Sequence, residues 1–123
     1  MIGDGMGPSF TTAYRYYSDK KDTPEIEKTI FDKLLVGMAF TYPDDNTIVT
    51  DSAASATALS TGIKTYNGAI AVDSTHKPIH TILEKAKLYG YTTGLIATSQ
   101  INHATPASFA AHNQSRKNYN QIA

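Results

Sequence analysis

The stretch IVTDSAASATALSTG, residues 48–62, is the part of the sequence that most strongly determines the expected fold. Its apolar start stops at an aspartate and a serine, and seven of the ten residues from Ser52 to Thr61 are Ala or Ser. An apolar run followed by a polar junction and a small-residue segment predicts a short strand, a turn and a helix that ends at Gly62. We therefore expect Asp51 and Ser52 to lie at a helix start, on a helix whose small side chains allow close packing.

The rest of the chain alternates in the same way between predicted helices and predicted strands. Helix signals occur in four segments: residues 8–18, residues 30–35 as a short helix or a turn, residues 79–89 before a Gly90 cap, and a segment that starts at Thr105-Pro106 and includes Phe109 and Arg116. Strand patterns occur over residues 36–42 and, as a buried strand, over residues 92–98. This alternation predicts the α/β class, with a largely parallel central sheet flanked by helices.

Composition excludes several classes of protein. The 123 residues carry no net charge, which gives no electrostatic basis for binding nucleic acid or an anionic membrane. No apolar run approaches the roughly 20 residues that span a bilayer. The chain has no cysteine, so disulfides and thiolate zinc sites are excluded, and any metal site must use oxygen and imidazole ligands.

Both ends of the chain predict that the domain continues beyond them. Met1-Ile2 leads straight into a glycine-rich turn, as at the end of a strand, and the last residues carry no helix stop signal. We expect residues 1–123 to be the N-terminal part of a single α/β domain that is truncated at both ends.

Three polar clusters follow predicted strands or precede predicted helices: Asp4, Asp51-Ser52 and His103 with Thr105. Ligands of open α/β sheets gather where the carboxyl ends of the strands meet the loops. We therefore expect these three clusters to lie at the ligand-binding edge of the sheet.

Ser52 is the candidate nucleophile. In the first turn of a helix, unpaired N–H groups and the helix dipole favour an anion such as a phosphate group. The hydroxyl still needs a base or a metal to lose its proton, and no Gly-x-Ser-x-Gly elbow surrounds it, which argues against an α/β-hydrolase. The competing interpretation is that Asp51 or Ser52 only caps the helix.

The other candidates each have an ordinary structural alternative. Asp4 lies between glycines, so it can be presented to a cation or belong to a simple turn. His103 and Thr105 would point to one side of an extended backbone, although a single histidine is more often a packing or surface residue. Arg116 can clamp a phosphate through its planar fork or lie at the surface, and His112, four residues earlier, is expected on the same helix face.

The adjacent residues Asp44 and Asp45 also have two interpretations. Two adjacent carboxylates can serve as an acid/base dyad, but their Pro-Asp-Asp-Asn setting favours turn chemistry.

Taken together, the segments IGDGMG, VTDSAASATALSTG and HATPASFAAHNQSRK resemble, in order, three motifs of the alkaline phosphatases. The resemblance covers nearly the whole chain. It implies a metal-dependent hydrolase of phosphate monoesters, with two zinc ions, one magnesium ion and a phosphoserine intermediate. Ser52 matches the serine that is phosphorylated and binds zinc, Arg116 matches the arginine that grips two phosphate oxygens, and Asp51 matches the aspartate that orients this arginine.

The same resemblance implies the metal ligands. Asp4 matches the carboxylate that bridges one zinc and the magnesium, and Thr105 matches a magnesium-ligand hydroxyl. His103 stands where family members carry Asp or His near the third metal, so a water-mediated magnesium contact or zinc in that site is expected.

The resemblance also implies features that residues 1–123 do not supply. The family's remaining zinc ligands and a magnesium-binding glutamate lie further along the chain, so we expect the isolated chain to be inactive. Family members are usually periplasmic or secreted and often form homodimers. Two alternatives stay open: a related hydrolase of phosphodiesters or sulfate esters, and a non-catalytic anion-binding module.

Overall fold

The computed structural model describes all residues from Met1 to Ala123, which form two compact units, Met1–Phe40 and Thr41–Ala123. The regular secondary structure consists of six helices, two in the first unit and four in the second. Their bounds are α1 Pro8–Ser18, α2 Ile30–Leu34, α3 Ser52–Thr61, α4 Ile82–Leu88, α5 Ala104–Ala110 and α6 Tyr119–Ile122. No helix has the length and apolar character that crossing a membrane requires.

The first unit is a pair of helices joined by an ion pair and by an edge-to-face contact of Tyr14 with Phe31. Helix α1 begins at Pro8, as predicted, because proline suits a first turn whose N–H groups have no helical partner. Helix α2 begins with a capping box between Thr29 and Asp32. Asp32 also forms an ion pair with Arg15 of α1. Neither helix has a buried residue, so these contacts, rather than a hydrophobic core, connect them.

The second unit is built around close packing of α3 against α5. Its buried cluster consists mainly of alanines: Ala53, Ile70, Ala104 and Ala107, with Ala111 and Ile122 packed against it. Small side chains allow two helix backbones to approach closely, which accounts for the Ala/Ser run of residues 52–61.

Hydroxyl groups supply the hydrogen bonds that this close packing requires. Ser60 Oγ of α3 donates to the carbonyl oxygen of Ser108 in α5 at 2.6 Å. Thr57 Oγ1 donates to the Ala69 carbonyl at 3.1 Å and accepts from the Ala71 N–H at 2.9 Å. These hydroxyls are buried and paired, so they stabilise the α3 interface instead of weakening it.

The predicted central sheet is not confirmed by the hydrogen bonds of this chain. The only β pairing is two isolated antiparallel bridges, Ile70 with Asn113 and Val72 with Pro78. Residues 36–42, 48–49 and 92–98 form no strand. The expectation that residues 92–98 are buried is wrong, since Ile96 is fully exposed. A strand needs a partner to complete its ladder, and no segment of the chain pairs with these residues.

Two helix starts differ from the prediction. Helix α5 begins at Ala104 with His103 as its N-cap, not at Thr105. Pro106 is compatible with this start because a third helical residue needs no N–H bond within the helix. Helix α4 begins after Thr81, whose capping box with Glu84 leaves Ile79 outside the helix. The Gly90 stop is confirmed, with φ +83° after the helix end.

Candidate anion-binding site

Asp51 uses its two carboxylate oxygens for two different contacts at the start of α3. Oδ1 accepts a hydrogen bond from the Ala54 N–H at 2.9 Å, so Asp51 is the N-cap. Oδ2 accepts from Nη1 of Arg116 at 3.1 Å. The predicted cap is therefore confirmed, and the same carboxylate also holds the arginine 65 positions away.

Ser52 is the first residue of α3 and is half-buried. The helix start presents N–H groups and a partial positive charge next to it. Arg116 brings a guanidinium with five N–H donors to the residue directly before Ser52, and the bond to Asp51 uses one of them. This combination of a helix start, a hydroxyl and an arginine is suited to binding a small anion.

Arg116 reaches this place from a turn and not from a helix. Helix α5 ends at Ala110, and Ala111 is extended, so the prediction that Arg116 and His112 share a helix face is wrong. The backbone N–H of Arg116 donates to the Gly68 carbonyl at 2.7 Å. A backbone anchor and a side-chain anchor thus fix both ends of the arginine.

His112 connects separate parts of the second unit. Its Nδ1 lies 2.8 Å from the Ala71 carbonyl and its Nε2 lies 3.0 Å from Oε1 of Glu84 in α4. Both ring nitrogens of His112 therefore face oxygen acceptors, one on the backbone at Ala71 and one on helix α4. The hydrogen bonds from His112 and from the Thr81 N–H lower the pKa of Glu84 to about 2.

Sequence reasoning did not identify Asn67, which contacts the segment before Ser52. Its Oδ1 accepts from the Asp51 N–H at 2.7 Å, and its Nδ2 donates to the Val49 carbonyl at 2.9 Å. The signal for a turn was present, because Asn67 is followed by Gly68, which has φ +95°. Nothing in the local sequence indicated which segment the side chain would contact.

Asp45 takes part in the same arrangement. Its Oδ2 accepts from the Asn67 N–H at 2.8 Å, and its Oδ1 accepts from the Thr47 N–H at 2.7 Å. The hydrogen bonds from Asn67 and Thr47 lower the pKa of this carboxyl group. The preference for turn chemistry at Asp45 is thus confirmed.

His103 and Thr105 lie on either side of Ala104 at the start of α5. The expected extended backbone is wrong beyond His103, because Ala104 and Thr105 are already helical. Nδ1 of His103 is buried and has no hydrogen-bond partner. Ala104 shares the buried cluster with Ala53, so the starts of α5 and α3 meet in one core.

Asp4 belongs to the first unit, where it lies exposed in a turn that includes Gly5 at φ +66°. The expected turn is confirmed. No group of three or more His, Asp or Glu side chains in this chain is gathered so that it could hold a metal ion by itself.

Comparison with known proteins shows the same similarity along the whole chain. The sequence model of the alkaline phosphatase family matches residues 1–123. Alkaline phosphatase 3 of Bacillus subtilis (strain 168) is 61% identical over 124 residues, which cover 100% of this chain and 27% of that protein.

Solved structures of alkaline phosphatases are also similar to this chain. A cold-active alkaline phosphatase of a psychrophilic Shewanella sp. has a TM-score of 0.96 and 63% identity, covering 99% of this chain and 31% of that one. A TAB5 alkaline phosphatase in which a histidine is replaced by aspartate, with magnesium bound in its M3 site, has a TM-score of 0.60 and 51% identity over 60% of this chain and 21% of that one.

The chain spans less than a third of the length of these relatives. Its backbone follows the alkaline phosphatase fold over that span, with the start of α3 and the Asp51–Arg116 pair at the candidate site. The family model matches every residue from the first to the last. The chain therefore belongs to the alkaline phosphatase family.

Proposed function

We propose that the protein hydrolyses phosphate monoesters through a covalent phosphoserine at Ser52. The observation that carries the proposal is the hydrogen bond from Arg116 Nη1 to Asp51 Oδ2, which brings a guanidinium to the N-terminus of α3. A phosphate monoester is a compact dianion, and a planar arginine fork combined with helix N–H groups is complementary to it.

Each residue of the site has a distinct role in this reaction. The Ser52 oxygen attacks phosphorus in line with the departing alcohol, and Arg116 binds two of the equatorial oxygens while charge develops on them. Asp51 holds the guanidinium in the orientation that this requires. Water then attacks the phosphoserine and releases inorganic phosphate, which regenerates the serine.

We propose two zinc ions and one magnesium ion as cofactors, with Asp4, Ser52, Thr105 and His103 as this chain's contribution. Bound zinc supplies the Lewis acidity that lowers the pKa of a serine hydroxyl or a water molecule. The buried and unpartnered Nδ1 of His103 fits a role beside the third metal, directly or through water. A histidine-to-aspartate variant of the TAB5 alkaline phosphatase has magnesium bound in its M3 site, which supports a link between a histidine and metal occupancy.

The remaining ligands of these metals are expected outside residues 1–123, so the isolated chain should lack metal-dependent turnover. We further propose that the full-length protein is a homodimer that is exported to the periplasm or secreted. Metal-dependent hydrolysis of an aryl phosphate by residues 1–123 alone, abolished by Ser52→Ala, would contradict this ligand assignment.

The test is to trap the covalent intermediate in the full-length protein. Incubation with labelled phosphate at acid pH, followed by peptide mapping, should place the label on Ser52. Ser55→Ala is the matched control, because Ser55 lies one turn later in α3 and its Oγ donates to the Asp51 carbonyl at 2.9 Å. Label on any residue other than Ser52, or retention of the label in Ser52→Ala, would overturn the assignment.

A further inference from the structure

Three consecutive residues, Tyr66, Asn67 and Gly68, connect the two halves of the candidate site, and we call them the bracket. The Asn67 side chain accepts from the backbone N–H of Asp51 at 2.7 Å, on the Ser52 side. The Gly68 carbonyl accepts from the backbone N–H of Arg116 at 2.7 Å, on the arginine side. Tyr66 Oη donates to the Gln114 carbonyl at 2.8 Å, two residues before Arg116.

Asn67 makes the largest number of these contacts. Besides the bond to Asp51, its Nδ2 donates to the Val49 carbonyl and to Thr47 Oγ1, both at 2.9 Å. Its own N–H is held by Asp45 at 2.8 Å. One side chain therefore binds the backbone at two points within the three residues before Ser52.

The geometry separates the two sides of the site. Asn67 contacts only the segment that leads into Ser52, whereas Arg116 is held through the Gly68 carbonyl and through Asp51 Oδ2. The Asp51 carboxylate keeps its own support when the Asn67 side chain is removed, since its Oδ1 accepts from the Ala54 N–H. Loss of the Asn67 side chain is thus expected to displace the backbone of residues 49–51, which leads into Ser52, more than it displaces the Arg116 guanidinium.

We propose that Asn67 is a positioning residue that fixes the backbone at Asp51 and thereby aims the Ser52 hydroxyl at a phosphoryl group bound by Arg116. The inference rests on the proposed function of Ser52. A displacement of about 1 Å at a nucleophile can reduce turnover about 100-fold. Ground-state phosphate binding depends mainly on the arginine and should change little.

The experiment measures kcat with an aryl phosphate and the inhibition constant of inorganic phosphate in the full-length, metal-loaded protein. Asn67→Ala should lower kcat about 10- to 100-fold, with less than a threefold change in the inhibition constant. Asp45 is exposed, and Asp45→Asn can remove the oxygen that accepts from the Asn67 N–H. It should lower kcat by a smaller factor than Asn67→Ala does, again with little change in the inhibition constant. Asn46→Ala is the control, because Asn46 is an exposed asparagine in the same turn and should match the wild type.

Each outcome decides one question. If Asn67→Ala does not yield folded protein, Asp45→Asn provides the test. An unchanged kcat, or a rise in the inhibition constant as large as the fall in kcat, would overturn the positioning role. Ser52→Ala is measured in parallel: if it keeps wild-type turnover, the proposed function fails, whereas an inactive Ser52→Ala beside a fully active Asn67→Ala rejects only the inference about Asn67.

Discussion

The two oxygens of Asp51 allow the capping contact and the arginine contact to be separated by substitution. Asp51→Asn keeps an oxygen that can accept from the Ala54 N–H but turns an amide toward the Arg116 guanidinium, where both groups are donors. Asp51→Ala removes both contacts. The pair of variants therefore distinguishes the helix cap from the support of the arginine.

The magnitudes follow from the geometry. Loss of an aspartate N-cap costs about 1 kcal/mol. The side chains of Arg116 and Asp51 are 24% and 27% exposed and joined by one 3.1 Å hydrogen bond, which places the ion pair at about 1 kcal/mol. We expect Asp51→Asn to lower the free energy of unfolding by about 1 kcal/mol and Asp51→Ala by about 2 kcal/mol.

The effect on binding should match the loss of the ion pair. If Arg116 loses the orientation that Asp51 gives it and the binding free energy of phosphate falls by about 1 kcal/mol, phosphate binds approximately fivefold more weakly. The assay is inhibition of aryl phosphate hydrolysis by inorganic phosphate, with urea unfolding measured on the same full-length proteins. An unchanged inhibition constant in Asp51→Asn would refute the orienting role. Equal unfolding free energies for the two variants would refute the contribution of the cap.

Three further outcomes are expected in the full-length protein. Arg116→Ala should raise the inhibition constant of phosphate about tenfold or more and leave the zinc content unchanged, since the guanidinium binds the anion and not the metal; metal loss would indicate a structural role. His103→Asp adds a harder ligand and should make activity depend more strongly on added magnesium, and identical titrations would show that His103 does not affect the metal. Glu84 has a lowered pKa, so its contribution to stability is complete above its usual value of 4.5 and is lost as the pH falls toward about 2. Its side chain is 36% exposed, so Glu84→Gln should lower the free energy of unfolding by only about 1 kcal/mol at pH 7 and should have no effect near pH 2, as measured by urea unfolding. An equal loss at both pH values would show that the ionised Glu84 carboxylate does not stabilise the fold.

Local signals in the sequence were sufficient to predict most of the helices. Pro8 at a first helical position, Asp51 as a cap and Gly62 and Gly90 as stops act through the dihedral angles and N–H groups of one turn, so their effects can be read without knowledge of the fold. The Ala/Ser run after Asp51 likewise forms the predicted helix. The resemblance to alkaline phosphatases depended on residues close together in sequence, and the family match confirms it.

The tertiary structure decided the contacts that span many residues. Arg116 meets Asp51 across 65 positions, and Asn67 meets it across 16, because the chain reverses after α3, which ends at Gly62, and again after α5. No local pattern encodes such a contact, since hydrogen bonds between distant segments depend on how the whole chain packs. The contacts of His112 could not be predicted for the same reason, since its partners lie 41 and 28 positions away. The end of α5 before His112 was likewise not predicted.

The sequence by itself determined the apolar character of residues 36–42 and the family to which the chain belongs. It did not determine a sheet within residues 1–123, because a strand exists only where a second segment completes its backbone hydrogen bonds. The helix caps needed only neighbouring residues, whereas the Asp51–Arg116 pair and the bracket needed segments brought together by the packing of α3 and α5. Local chemistry therefore selected the residues of the site, and long-range packing determined which of them meet.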